Sequence, residues 1–361
     1  MSKIFDYFSG NYAQARQAFR DAASDAGAQT QTYHNPATGP GGISLSTETA
    51  RVGPGESERL LIALSGTHGV ECFCGSGLQV GLLRSGLAAE AARHTAILLI
   101  HAINPSGFAW VRRVNEDNVD LNRNFVDHGR PHPANAGYEE LREAICPRDW
   151  INGRTTADAV LDAYREVHGM MALQSAISSG QYGDPAGVFY GGREPVWSNR
   201  TLREILRLEA GKARHIAFVD LHTGLGPYGT GEVMNNHHAS YPGFHRVKDW
   251  FGGEATSDDE GSSSSAPVSG DTNVAVIEEA PRAAVTGITL EYGTMPVKPM
   301  FDSIRADNWL HIHGRLDSPE GRAIKAQIRQ AFYPDKNDWH RMVWERWVDV
   351  VRRMAHGLAE S

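Results

Sequence analysis

The chain has 361 residues, 41% of them hydrophobic, which is enough for one sizeable core. Its 35 basic residues are outnumbered by 43 acidic ones, the net charge is −8 and no basic tract occurs, which excludes nucleic acid and anionic membrane as expected partners. The three cysteines, Cys72, Cys74 and Cys146, are an odd number in a large chain and suggest no disulfide framework, while the Cys72-Phe73-Cys74 spacing does not suit a metal. No apolar segment of signal type opens the chain and no run of about 18 apolar residues occurs. A cytoplasmic location is therefore expected.

In chain order, residues 11–23 read as an amphipathic helix with Ala15 and Phe19 on one face, closed by Gly27. Residues 33–53, rich in Gly, Pro, Thr and Ser, suit loops and edge strands. Leu60, Leu61, Ile62, Ala63 and Leu64 form a run of the length of a buried parallel strand, and Ser65-Gly66-Thr67 marks its end. His68 and Glu71 lie just beyond. In open α/β sheets ligands bind outside the carboxyl ends of the strands. An imidazole and a carboxylate three residues apart on such a turn can share a divalent cation, although most HxxE tetrapeptides are surface pairs. A helix over residues 75–87 follows, packed through Leu78, Val80, Leu82 and Leu83, and then a strand over 96–103 that stops at Asn104-Pro105-Ser106-Gly107.

Residues 104–125 gather Arg112, Arg113 and Arg123 with Asn115, Asn118, Asn122 and Asn124. Rigid guanidinium forks and neutral amides are what an anionic end group requires, while Glu116, Asp117 and Asp120 allow the alternative of a solvated, internally paired loop. Helices are expected over 158–173 and 199–209. The glycine-rich stretch between them, 180–193, is either a pocket wall presenting Tyr190 and Arg193 or a surface connection. The apolar strand 215–222 ends at His222, a second histidine at a strand end. Together with His68 and Glu71 it makes three donors, and three protein ligands with an open fourth position is the pattern of catalytic zinc.

Residues 224–241 are rich in Gly, Asn and His, and the adjacent His237 and His238 should point to opposite sides. Residues 252–271 are acidic and serine-rich with little to bury, so a mobile loop is expected, either a lid or plain disorder. The strand 285–291 ends at Glu291, which is better placed than Glu278 or Glu279 before Pro281. A helix opens at Ser318-Pro319 and runs to Phe332. Another begins at Asp338, with Trp339, Val343, Trp347, Val350, Val351, Met354 and Leu358 recurring at three and four. That stripe suits packing on the sheet, and a Trp-rich face also suits a homo-oligomer interface.

GTHGVE, VDLNRNF, DLHTG and LEYG, in this order between residues 60 and 295, together resemble the zinc carboxypeptidase superfamily, including its aspartoacylase and succinylglutamate desuccinylase branch. The resemblance implies one zinc ion per chain held by His68, Glu71 and His222. It implies Asp120 as the acid that orients His68, Asn122 and Arg123 as the pair that holds a substrate carboxylate, and Arg113 or Arg112 as the oxyanion arginine. It implies Glu291 as the general base. The loop 252–271 carries no tyrosine, unlike the substrate-contacting loop of the carboxypeptidases, so a grip on the penultimate peptide unit is not implied.

The expected architecture is one α/β catalytic domain over residues 1–361, with a central mixed, largely parallel sheet, helices on both faces and residues 318–361 as a helical extension packed on it. The expected activity is zinc-dependent hydrolysis of an amide bond next to a free carboxylate, carboxypeptidase-like on small peptides. Deacylation of an N-acyl amino acid is the alternative, and capture of a carboxylated ligand without turnover is the reading from a different class. Glu291 argues against the last, because a binder has no use for a base.

Overall fold

The computed structural model describes residues 4–361, and its centre is an eight-stranded sheet. The strands are β1 (Gln29–Thr38), β2 (Ser44–Val52), β3 (Arg59–Ser65), β4 (Ala96–His101), β5 (His215–Gly224), β6 (Gly231–Asn235), β7 (Ala255–Ser257) and β8 (Ala284–Gly293). Their spatial order is β1-β2-β4-β3-β5-β8-β6-β7. The middle four, β4-β3-β5-β8, run parallel, whereas β2 joins β4 and β6 joins β8 in antiparallel fashion. The sheet is therefore mixed, with a parallel centre.

Alternation along the central strands divides the core in two. Leu61, Ala63, Ile97, Leu99, Ala217 and Val219 face one side, where they pack with Phe19, Leu78, Ile328, Trp347 and Val351 from helices Tyr12–Asp25, Cys72–Arg84, Pro319–Phe332 and Asn337–Ala359. Leu60, Ile62, Leu64, Leu98, Ile100, Ile216 and Phe218 face the other and meet Leu202, Ile205, Leu206 and Val276 from helices Trp197–Glu209 and Thr272–Glu279. Successive side chains of a strand point to opposite faces, so a run apolar at every position is what a strand covered on both sides requires. Each fully buried Leu, Ile or Phe contributes about 1.5–3 kcal/mol.

The last helix does more than cover a face. Trp347 donates its indole N–H to Leu78 O at 3.1 Å, and Trp339 donates to Gly293 O at 3.0 Å, which ties the helix to the carboxyl end of β8. Among the described residues no helix is long and apolar enough to cross a membrane.

Several elements depart from the sequence reading. The first apolar strand is third in chain order and fourth in the sheet, because the Gly- and Thr-rich segment before it, in keeping with edge strands, pairs as the antiparallel ribbon β1–β2. The helix expected over 158–173 is two helices, Trp150–His168 and Met170–Ser178, broken at Gly169 with φ 87°. The loop 252–271, expected to be mobile, is anchored: β7 pairs with β6, Ser264 bonds to Glu232 through both its N–H and its hydroxyl, and Gly270 O accepts from Phe125 N. Its serines find partners at a sheet edge rather than in a core. Helices Ala136–Ile145 and Val297–Ile312 lie where no periodic stripe was read.

Candidate metal centre

β3, β5 and β8 are neighbours, and their carboxyl ends place His68, His222 and Glu291 together. His222 on β5 stands in register with Glu291 on β8. The turn after β3 is shaped by glycine. Gly66 takes φ 75°, and a Cβ on Gly69 would lie 2.0 Å from the carbonyl carbon of Gly107. Only glycine permits that approach, which lets Gly69 N and Val70 N donate to the carbonyls of Arg113 and Arg112 at 3.1 and 2.7 Å. The HxxE turn and the arginine loop are thereby one unit.

Three donors converge. His68 Nδ1 is 2.9 Å from Glu71 Oε1, His222 Nδ1 is 2.9 Å from Glu71 Oε2, and the two Nδ1 atoms are 3.1 Å apart. One ligand atom from each lies within 4.8 Å of the others, and all three residues are buried. The outer nitrogen of each histidine faces an acid. His68 Nε2 bonds to Asp120 Oδ1 at 3.0 Å, and His222 Nε2 is 3.0 Å from Asp220 Oδ2. With each Nε2 set against a carboxylate, each Nδ1 is the nitrogen turned to the common point.

The electrostatics of the group ask for a cation. Burial works to raise the Glu71 pKa, but the His68 and His222 imidazoles prevail and hold the carboxyl well below its usual range. Burial works against a charged His222, yet Asp220 and Glu71 raise it well above the ordinary imidazole value. A proton on His222 thus serves the charge balance that a divalent ion would serve. Two imidazole nitrogens and a carboxylate in a buried site fit zinc, which takes nitrogen and oxygen donors and leaves a fourth position open when it is catalytic.

Asp120, fully buried, is the hub of the arginine side. It accepts from His68, from Arg113, from Arg123 Nη1 at 2.9 Å and from Asn122 N at 3.1 Å. Burial raises its pKa, but the two guanidiniums prevail and hold it well below the carboxylate range. Arg113 Nε stands 4.0 Å from Glu71 Oε1, at the edge of the donor group. Arg112 is placed differently: it donates to Asn118 Oδ1 at 2.8 Å and to Asp307 Oδ2 at 3.4 Å, and Asp307 is also held by Lys325. Arg112, named beside Arg113 as a candidate oxyanion arginine, thus stands in a buried ion pair with Asp307 of helix Val297–Ile312.

Asn122 Oδ1 and Arg123 Nε are buried and without a hydrogen-bond partner among the described residues. Glu291 is 8% exposed, and its Oε1 accepts from Leu225 N at 2.8 Å. Burial and the neighbouring Glu71 carboxylate push its pKa up to about 8, against the pull of His222 and Arg113.

Other residues singled out in the sequence fall outside this group. His237 is buried and accepts from Gly287 N, whereas His238 is exposed, opposite dispositions as expected for adjacent side chains. Tyr190 packs in the core and Arg193 is exposed. The glycine-rich loop instead contributes Phe189, which lies 5.0 Å from the Arg113 guanidinium and 5.2 Å from that of Arg123 and adopts φ 54°. A positive φ on an aromatic residue is costly, and no sequence signal marks it. Asp220 was also overlooked, although an acid two residues before His222 on a strand must share its face. Cys72 and Cys74 are buried, and burial raises both thiols.

Fold and site define an α/β chain with a buried His-Glu-His donor group at the carboxyl ends of parallel strands. The chain belongs to the DUF2817 family, described as a protein of unknown function, whose model matches residues 8–346. No curated protein matches it. Among solved structures it is similar to bovine thrombin-activatable fibrinolysis inhibitor in complex with tick carboxypeptidase inhibitor, at 11% identity over 99% of each chain and a TM-score of 0.48. It is similar to carboxypeptidase A from Helicoverpa armigera at 13% identity over 91% of this chain and 75% of that one, with a TM-score of 0.46. A third is succinylglutamate desuccinylase from Chromobacterium violaceum, at 14% identity over 89% and 75% and a TM-score of 0.39.

Proposed function

We propose that the chain is a zinc-dependent hydrolase that cleaves an amide bond next to a free carboxylate, carboxypeptidase-like on small peptides. The observation that carries this reading is the convergence of His68 Nδ1, His222 Nδ1 and the Glu71 carboxylate within 4.8 Å, with Glu291 in register beside His222.

His68, Glu71 and His222 would hold the ion, which when bound supplies Lewis acidity to a carbonyl and to water. Glu291 takes a proton from the attacking water and returns it to the leaving nitrogen. Arg113 donates to the oxygen that gains charge as the carbonyl is attacked. Asn122 and Arg123 hold the substrate carboxylate, and the unpartnered Arg123 Nε is a donor left for it. Asp120 fixes the His68 ring and aligns both arginines.

His68, Glu71, His222 and Glu291 are each at most 8% exposed, which favours a small substrate. An N-acyl amino acid meets the same contacts, so deacylation is the second reading. The test is product analysis by mass spectrometry of a pool of free-ended peptides, end-blocked peptides and N-acyl amino acids, with zinc-loaded and chelated protein. Chelator-sensitive loss of free-ended peptides supports the first reading, and loss of N-acyl amino acids supports the second. No loss in any class defeats both.

A further inference from the structure

His68 and His222 are the two imidazoles of the donor group, and each has its own carboxylate on the far nitrogen. The Asp120 partner of His68 follows from the resemblance, while nothing in the sequence reading assigns one to His222. Asp220 fills that place. It is 1% exposed, lies on β5 two residues before His222 and therefore on the same face, and brings Oδ2 to 3.0 Å from His222 Nε2.

Asp220 is itself held from two directions. The Thr67 hydroxyl donates to it, 2.9 Å from each oxygen, and the Thr272 hydroxyl donates to Oδ2 at 2.8 Å. Thr67 is the neighbour of His68, and Thr272 opens helix Thr272–Glu279 on the other side of β5. Among the described residues no Lys or Arg pairs with Asp220, and His222 is the one ionisable partner in its ion pair. Among the described residues His222 Nε2 has no other partner, and it stands at hydrogen-bond distance from Oδ2 but outside hydrogen-bond alignment. A buried carboxylate with only two hydroxyls to solvate it is costly, and a neutral amide would serve two threonines as well. The charge is accounted for when Nε2–H of His222 is the group it faces.

We infer that Asp220 is a positioning residue for His222: braced by Thr67 and Thr272, it orients the ring so that Nδ1 faces the ion and raises the basicity of that nitrogen. This rests on the metal-centre reading above. Acids in this position typically change metal affinity 10–100-fold.

The test measures zinc affinity by competition with a chromophoric chelator, and the visible spectrum of the cobalt-substituted protein, for wild type, Asp220→Asn and Thr272→Val, with folding checked by circular dichroism and metal-free Tm. If the wild type binds neither zinc nor cobalt, the metal-centre reading fails and this inference with it. If the wild type binds, the inference expects Asp220→Asn to lose about 10–100-fold in zinc affinity and to shift the cobalt bands, and Thr272→Val to lose several-fold. A lower metal-free Tm with unchanged affinity and unchanged cobalt spectrum would overturn it, since a merely structural Asp220 gives that result. Should Asp220→Asn not fold, Thr272→Val decides: unchanged affinity in that variant also overturns the inference.

Discussion

Glu291 and His222 occupy facing positions on two adjacent parallel strands, so the candidate base and a candidate metal ligand are fixed by one register of the sheet. A slip of one residue between β5 and β8 would turn Glu291 to the opposite face. Replacement of Glu291 by Gln keeps the shape and the acceptor for Leu225 N but removes the basic oxygen. Glu291→Gln is expected to retain zinc at wild-type occupancy, measured by elemental analysis, and to lose about 100-fold or more in kcat. Turnover within a few-fold of wild type would remove Glu291 from the mechanism.

The two adjacent arginines separate cleanly in what they should do. Arg113 borders Glu71 and Asp120, whereas Arg112 is enclosed by Asp307 and Asn118. Arg113→Met is expected to lower kcat by about 100-fold through the loss of one oxyanion donor. Arg112→Met is expected to lower stability by about 3 kcal/mol, the low end for a broken buried pair, because Lys325 still neutralises Asp307. Its folded fraction should turn over at close to the wild-type rate. Kinetics and urea denaturation of both variants, side by side, check the assignment, and the reversed pattern would exchange the two roles.

His68 bonds at once to Glu71 and Asp120, so it joins the donor group to the arginine hub. His68→Ala leaves two donors of three and opens a gap beside two buried acids. Zinc occupancy after dialysis against a weak chelator is expected to fall below a tenth of the wild-type value, with loss of the zinc-induced rise in Tm. Full occupancy in this variant would place the ion elsewhere.

Much of this arrangement was legible because strand ends are legible. The apolar runs before Ser65 and Thr223 and before Tyr292 have the length and composition of buried strands, so the polar residue at each end stood out. The sheet edges were harder. β1 alternates little and carries a proline, and β7 is three residues long, so neither offers a period to read. The pairing that distinguishes Arg112 from Arg113 involves Asp307, which is 195 positions away in sequence on a helix with a weak stripe. Phe189 is held in its backbone conformation by long-range packing, and no local pattern encodes that. Asp220 is the exception, since period two placed it beside His222 from the start.

Two buried histidines that are not part of the donor group set an acid limit to stability. His101 bonds to Ser76 Oγ and stacks on Phe19, and His237 accepts from Gly287 N through Nε2. Burial lowers both pKa values from 6.5 to about 4. Between those values the unfolded chain binds protons that the folded chain refuses, so stability rises with pH. The contribution is fully present above the unfolded pKa and is lost as pH falls towards about 4. Each residue accounts for on the order of 3 kcal/mol over that window, from about 1.4 kcal/mol per unit. The free energy of unfolding in urea, measured at pH 7 and pH 4.5, is expected to drop by several kcal/mol in the wild type. His237→Asn is expected to be less stable at pH 7, because Gly287 N loses its ring acceptor, and to show a shallower fall with acid. An equal fall in the variant would move the acid sensitivity to other groups.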